Sequence, residues 1–377
     1  MKTKLLSLIL AAFSFTGLSA QTFTANGINY KITDAVAKTV EVAPAALNYS
    51  GNITIPATVA YNAENYAVTA LGKQAFENGY FTSLSLPEGL LTIGERAVAG
   101  CSQLPSLSIP ASVTAIAPDA LLYTANKLNS LTVAATNAHY KSVNNVLFTK
   151  DGKTLLVYAN KAVTAYTVPA GVTALADHAF NSSDIVSVVL PDGVQTIGNR
   201  AFERCYNLSQ INFPTTLQSI GEWAFCYSVL SSAILPDNIS VIGDWAFYYC
   251  EKMKNLHLPA QLTEVKQYCF SYCKLVPSVE IPEGVKVIYG DGFSYISELT
   301  SVVIPSTMET IYHYAFSDNP KLEKITCKAS VPPVLDPVGY GKGWVFGQRQ
   351  SQITLYVPQG SKAAYQAAEV WKDFKEK

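Results

Sequence analysis

The chain has 377 residues, balances 27 basic against 28 acidic side chains, and is charged at only 15% of its positions. Without a basic surplus it has little to offer phosphate groups, which argues against nucleic acid as a partner. Tyrosine is abundant at 22 and methionine scarce at 3.

The N-terminus carries Lys2 and Lys4, then an apolar stretch at 5–15 (LLSLILAAFSF), then small residues at 16–20 (TGLSA). The apolar stretch is too short to span a bilayer, and the pattern is that of a secretory signal. Residues 1–20 are therefore expected to be a signal peptide, cleaved between Ala20 and Gln21. Export leads to the extracellular space or the outer cell surface, with the periplasm as the alternative. The first cysteine is Cys101, so no lipid-bearing cysteine stands near the N-terminus. No later apolar run reaches 18 residues, so no transmembrane helix is expected. Residues 21–55 hold strand-like segments (GINYKIT, KTVEVA, GNITIP) and are expected to form an N-terminal β cap that shields the open strand edge of the residues from 56 onward.

From residue 56 onward proline sets a register. Pro56, Pro87, Pro110, Pro169, Pro191, Pro214, Pro236, Pro259, Pro282 and Pro305 begin ten copies of one unit, mostly 22 or 23 residues apart. One copy, 191–213, reads PDGVQTIGNRAFERCYNLSQINF. A fixed period of this size means a solenoid. Ile211 and Phe213 alternate as on one face of a short strand, and Pro214 ends it because proline has no N–H to donate. Val194 and Ile197 enter the interior from the next wall, with Gly198 permitting a corner. Ala201, Phe202 and Cys205 follow at short-helix spacing and plug the third side. No unit buries its apolar face alone; stacking does that. The solenoid is placed at 56–327.

Two breaks interrupt the period. Between Pro110 and Pro169, residues 134–168 form an insert that includes NNVLFTKDGKTLLVYA (144–159), where Asp151-Gly152 signals a hairpin. Between Pro56 and Pro87 the surplus lies around YNAENYAVT. Both are expected to project and leave the core unbroken. Residues 328–377 are expected to be a C-terminal cap: a Pro/Gly-rich loop, a last strand, a turn and a short amphipathic helix.

The unit P-x-x-[VL]-x-x-I-G-x-x-A-F-x-x-C-x-x-L-x-x-[IV]-x-[ILF] resembles the BspA-type leucine-rich repeat of secreted and surface bacterial proteins. The resemblance covers about 56–327 and implies a right-handed leucine-rich-repeat solenoid of short strands and short helical turns. It further implies a C-terminal cap of the same kind, and adhesion to host or matrix proteins or to other cells.

Little else suggests chemistry. His139, His178, His257 and His313 share no metal-ligand spacing, and no H-x-x-x-H, C-x-x-C, G-x-S-x-G or phosphate-loop motif is present. No catalytic residue, metal or cofactor is assigned, and a non-enzymatic protein is expected. Of the seven cysteines, Cys101, Cys205, Cys250 and Cys273 share one repeat column. Cys269 replaces the alanine of A-F, Cys327 takes an inward strand position, and Cys226 falls at a variable one. A ladder of buried thiols and a Cys250–Cys273 disulfide both fit these positions; the odd count favours the thiols.

The repeat also sets aromatics into two outward columns. Trp223 and Tyr227 recur as Trp245 and Tyr249, then Tyr268 and Tyr272, then Asp291 and Tyr295, while Arg200 and Arg204 hold the same columns one coil upstream. On a helical turn, residues four apart share a face. Two readings stand: a side-chain ladder that stiffens the wall, or a recognition strip for an extracellular protein, or alternatively a glycan. The outward strand column (Ser85, Ser108, Val189, Asn212, Ile234, His257, Glu280, Val303, Thr326) is mixed and mostly small. The ligand-binding candidates are therefore Trp223, Tyr227, Trp245, Tyr249, Tyr268, Tyr272, Tyr295, Arg200 and Arg204, on a chain expected to be monomeric.

Overall fold

The computed structural model describes residues 21–46 and 48–376. The signal peptide proposed at 1–20 lies outside them. The chain winds into a parallel β-solenoid of about twelve turns, some 23 residues apart. Each coil has three walls, and each wall is a ladder to the next coil. Ser187–Val189 pairs in parallel with Ala165–Thr167 on one side and Gln210–Ile211 on the other. Two-residue strands make the second wall: Thr196–Ile197, Ser219–Ile220 and Val241–Ile242 pair in sequence. Glycine serves this corner through close approach. A Cβ on Gly221 would lie 2.6 Å from the Asn199 nitrogen, and one on Gly243 would lie 2.5 Å from the Glu222 nitrogen.

The third wall, expected to hold short helical turns, is built of turns that share their hydrogen bonds with the next coil. Residues 199–204 and their equivalents are turns. Alternate N–H groups donate to the following coil: Arg200 to the Glu222 carbonyl at 2.8 Å, Phe202 to Ala224 at 2.7 Å and Arg204 to Cys226 at 2.8 Å. The N–H groups between them close four-residue turns, as from Glu203 to the Arg200 carbonyl at 3.2 Å. A helix would have spent these donors within its own coil. Here half of them hold neighbouring coils together, and that requires a left-handed residue at every fourth position.

Inside the third wall runs a continuous stack of rings. Phe180, Phe202, Phe225, Phe247, Phe270, Phe293, Phe316 and Phe346 are each at most 2% exposed. Their centroids follow one another at 4.8, 5.2, 5.1, 5.4, 5.4, 5.7 and 5.8 Å.

The cysteines are all free and buried. In the shared column the thiols of Cys101, Cys205, Cys250 and Cys273 donate to the carbonyls of Phe76, Phe180, Phe225 and Phe247 at 3.1–3.4 Å. Asn319 does the same work in its coil, donating to the carbonyls of Phe293 and Phe316 at 2.9 Å. In these coils a small donor quenches a buried carbonyl, while Ile296 fills the same column with an apolar side chain. Cys226, assigned to a variable position, is also fully buried. Burial pushes the Cys205 and Cys250 thiols up to about 12 and Cys101 to about 11.

The inserts do not project. Tyr140–Val143, Val146–Thr149 and Thr154–Tyr158 form an antiparallel meander whose last strand pairs in parallel with Ala174–Leu175. Its side chains alternate between two cores. Leu147, Val157 and Ala159 join a cluster made by the N-terminal coils, while Val146, Phe148, Leu155 and Tyr158 join the C-terminal one. The meander is therefore a septum. In the earlier break, Thr58–Tyr61 and Glu64–Leu71 form a hairpin that buries Val59, Tyr66 and Val68. The expectation of solvent-projecting inserts fails because both apolar runs alternate onto core faces.

At the two ends, Thr22–Ala25, Ile28–Asp34 and Thr39–Val42 run antiparallel, and the last of these pairs in parallel with Glu64–Leu71. Near the C-terminus Thr354–Tyr356 continues the strand wall, followed by a helix at Lys362–Ala367.

Candidate functional site

The two outward columns fall on the left-handed positions of the third wall. Trp223 (φ 57°), Trp245 (60°) and Tyr268 (53°) line the first, after Arg200 (55°). Tyr227 (62°), Tyr249 (61°), Tyr272 (62°) and Tyr295 (57°) line the second, after Arg204 (59°). A β-branched side chain is poorly accommodated at positive φ. Accordingly no valine, isoleucine or threonine occupies either column where φ is positive. Two left-handed residues four apart, rather than a helical i,i+4 pair, make the columns neighbours.

The structure brings the candidates together. Trp223 stacks on Trp245 at 4.6 Å and 7°, and Trp245 on Tyr268 at 3.9 Å and 18°. The Arg200 guanidinium lies 5.0 Å over Trp223, extending the stack by a cation–π contact. In the second column Tyr227, Tyr249, Tyr272 and Tyr295 follow at 5.0, 4.3 and 4.4 Å. Arg204 turns away to the Tyr123 hydroxyl at 3.0 Å. Most of these rings are half-buried; Tyr295 is 38% exposed. Most of their faces lie on one another, and the Tyr268 and Tyr295 hydroxyls meet Asp291 and Asp318.

Glu203 closes the upstream end. It is buried between Arg200 at 3.2 Å and Arg204 at 3.8 Å, and accepts a hydrogen bond from the Asn181 amide at 3.0 Å. The other end is acidic: Asp291 follows Tyr268 and Asp318 follows Tyr295. Burial and then the Asp291 carboxylate push the Tyr268 hydroxyl up to about 12. Burial first, and the nearby Asp318 among lesser causes, raises Asp291 itself.

One residue of the strip is not among the sequence candidates. Tyr248 sits between the columns, edge-on to Trp245 at 4.7 Å and 72° and to Tyr272 at 5.5 Å and 76°. Equivalent coils carry Glu203, Cys226, Ser271, Ser294 and Ser317 there. The signal was a large ring where most copies hold a small residue. Burial, then the surrounding tyrosines, raise its pKa.

The strand wall gathers less. Val189 and Ile234 are 51% and 58% exposed, and Val303 and Thr326 are half-buried. Among the described residues no three His, Cys, Asp or Glu side chains come together as metal ligands.

The family description of the BspA type leucine rich repeat region matches residues 52–154, 156–276 and 224–334, in six copies. The chain belongs to the BspA-type leucine-rich repeat family. Its solved structural relatives are distant in sequence. It is similar to a leucine rich cell surface protein from Faecalibacterium prausnitzii, at 20% identity over 82% of this chain and 95% of that one, with a TM-score of 0.45. It is similar to the pneumococcal vaccine antigen PcpA at 16% identity over 95% and 98%, with a TM-score of 0.45. Similarity to a T. pallidum leucine rich repeat protein reaches 27% identity over 51% and 90%, with a TM-score of 0.44. No curated protein matches this BspA-type chain. Among the described residues no helix is long and apolar enough to cross a membrane.

Proposed function

We propose that this BspA-type repeat protein is exported to the cell surface or beyond, has no catalytic activity, and binds a protein partner in an adhesin-like role through the outer aromatic strip. One observation carries the reading. The same left-handed columns exist upstream, where they hold Gln74, Asn78, Arg96, Gly100, His178 and Ser182, with Tyr123 the one tyrosine. The backbone therefore needs only an unbranched residue there, and the fold does not call for rings. Their concentration at 223–295 is an addition to the scaffold.

A protein fits better than a glycan. Sugar rings stack on open aromatic faces, and in this strip most faces already lie on one another. Partly exposed rings and phenol hydroxyls offer instead the mixed apolar and polar surface typical of protein interfaces. The test is a Trp245→Ala/Tyr249→Ala variant, screened with wild type against immobilised matrix and host proteins and against a glycan array. Binding to a protein should fall by about 2 kcal/mol or more in the variant, as for an interface hot spot. Equal binding by variant and wild type, or binding to glycans alone, defeats the proposal.

A further inference from the structure

The second aromatic column stops at an open end. After Tyr295 the next coil places Asp318 in the same column, again left-handed at φ 55°. The coil beyond contributes Gly347 and Arg349. Between them opens a groove of about 530 Å3, bounded by Tyr272, Lys274, Tyr295, Asp318, Gly347 and Arg349. Adjacent parallel strands lie about 4.8 Å apart. The tyrosines of this column repeat at 4.3–5.0 Å. A ring seated over Asp318 would therefore continue the stack in register on the free side of Tyr295.

The first column makes the contrast. There Tyr268 also ends on an acid, Asp291, but Asp291 is only 6% exposed and that end is closed. Asp318 is exposed. The cations of the groove are already engaged: Lys274 pairs with Glu251 at 2.6 Å, and Arg349 donates to the Asn319 carbonyl at 2.5 Å and to Gln352. The carboxylate on the floor faces the Tyr295 hydroxyl and offers further acceptor positions to a donor.

We propose that this groove is a subsite for a tyrosine side chain of the partner protein: the incoming ring stacks on Tyr295 over Asp318 and donates its hydroxyl to the Asp318 carboxylate. The inference rests on the protein-binding reading and narrows it to one residue type. A flat ring continues the spacing of the tyrosine stack, and the acid on the floor disfavours anionic groups.

The probe is N-acetyl-tyrosinamide, titrated into the full chain and followed by saturation-transfer NMR, with methyl glucoside as comparison. Saturable binding in the millimolar range is expected for tyrosinamide and none for the glucoside. Asp318→Tyr places the chain's own ring in the slot, and this column already carries tyrosine at positive φ in five coils. That variant should fold and lose probe binding at least tenfold. Tyr295→Ala removes the stacking face and should also lose binding, a second route if the first variant misfolds. Undiminished probe binding in either folded variant, no saturable binding to wild type, or preference for the glucoside overturns the proposal. Such a failure leaves the protein screen with the Trp245/Tyr249 variant unaffected. If that screen fails while tyrosinamide binding is lost in Asp318→Tyr, the slot stands and the wider strip does not.

Discussion

The coils before the septum and those after it share a backbone and differ in what fills it. Before it, the inner column of the third wall holds Phe76, Val98 and Leu121, and the outer columns hold polar residues, Gly100 and the single ring Tyr123. After it, the inner column is an unbroken phenylalanine stack, and the outer columns become rings from Trp223 to Tyr295. Both halves bury their cores fully. Aromatic stacking is thus not a condition for closing a coil. It is a second layer of order laid over a hydrogen-bonded scaffold, and the outer part of that layer is where we place recognition.

The sharpest way to break the comparison is to remove the septum. Deleting residues 144–159 should abolish cooperative folding, because it opens both cores at once and strips the Ala174–Leu175 strand of one of its two partners. A circular-dichroism melt at wild-type temperature would show instead that the two halves dock without it.

Next comes the inner column. Phe247→Ala should cost about 3–5 kcal/mol, as for a buried phenylalanine. Val98→Ala, its counterpart before the septum, should cost about 2 kcal/mol. Urea unfolding reads both. Equal costs would mean that the stacked rings contribute less than their larger volume alone predicts.

Alkali should then divide the halves. Tyr158, Tyr166 and Tyr268 are pushed up to about 12 from 10, and Cys205 and Cys250 to about 12 from 9, chiefly by burial. Between those values the folded chain keeps protons that the unfolded chain releases, so stability falls as pH rises. It should hold steady up to about pH 9 and decline through 9–12. Among the described residues on the N-terminal side, only Cys101, at about 11, and Tyr30, at about 12, have comparable shifts. Hydrogen exchange at rising pH should therefore show the C-terminal coils loosening first; the reverse order would contradict these burial assignments.

The smallest effects lie on the outer columns. Trp245→Ala loses stacking on two neighbours, each aromatic contact amounting to about 0.5–1.5 kcal/mol. Arg96→Ala before the septum loses an ion pair with Glu77 and should cost about 0–1 kcal/mol. Thermal melts compare the two. If the variants melt alike, the strip adds no rigidity and its rings have only a surface role.

Much of this was legible in the residues. The proline register, the inward A-F pair and the alternating strand positions marked the solenoid, and the two aromatic columns could be read directly from the spacing. Three features were not. The wall at 199–204 looks helical because A-F-x-x-C has helix-like spacing, yet its donors bond to the next coil, and one unit's sequence cannot show what the next coil accepts. Cys226 and Tyr248 look variable within the repeat, but each lies beneath or between rings supplied by other coils.

The insert shows most plainly where sequence stops. Its turn at Asp151-Gly152 and its apolar alternation specified a hairpin. Only the stacked coils on both sides decided that each face of that hairpin would meet a core. Sequence by itself determined the period, the inward residues and the candidate columns, because these depend on local pattern and chain geometry. The tertiary structure decided the septum, the left-handed wall, the stacking of the rings and the open end at Asp318, because each arises from contacts between residues about one coil or more apart in the chain.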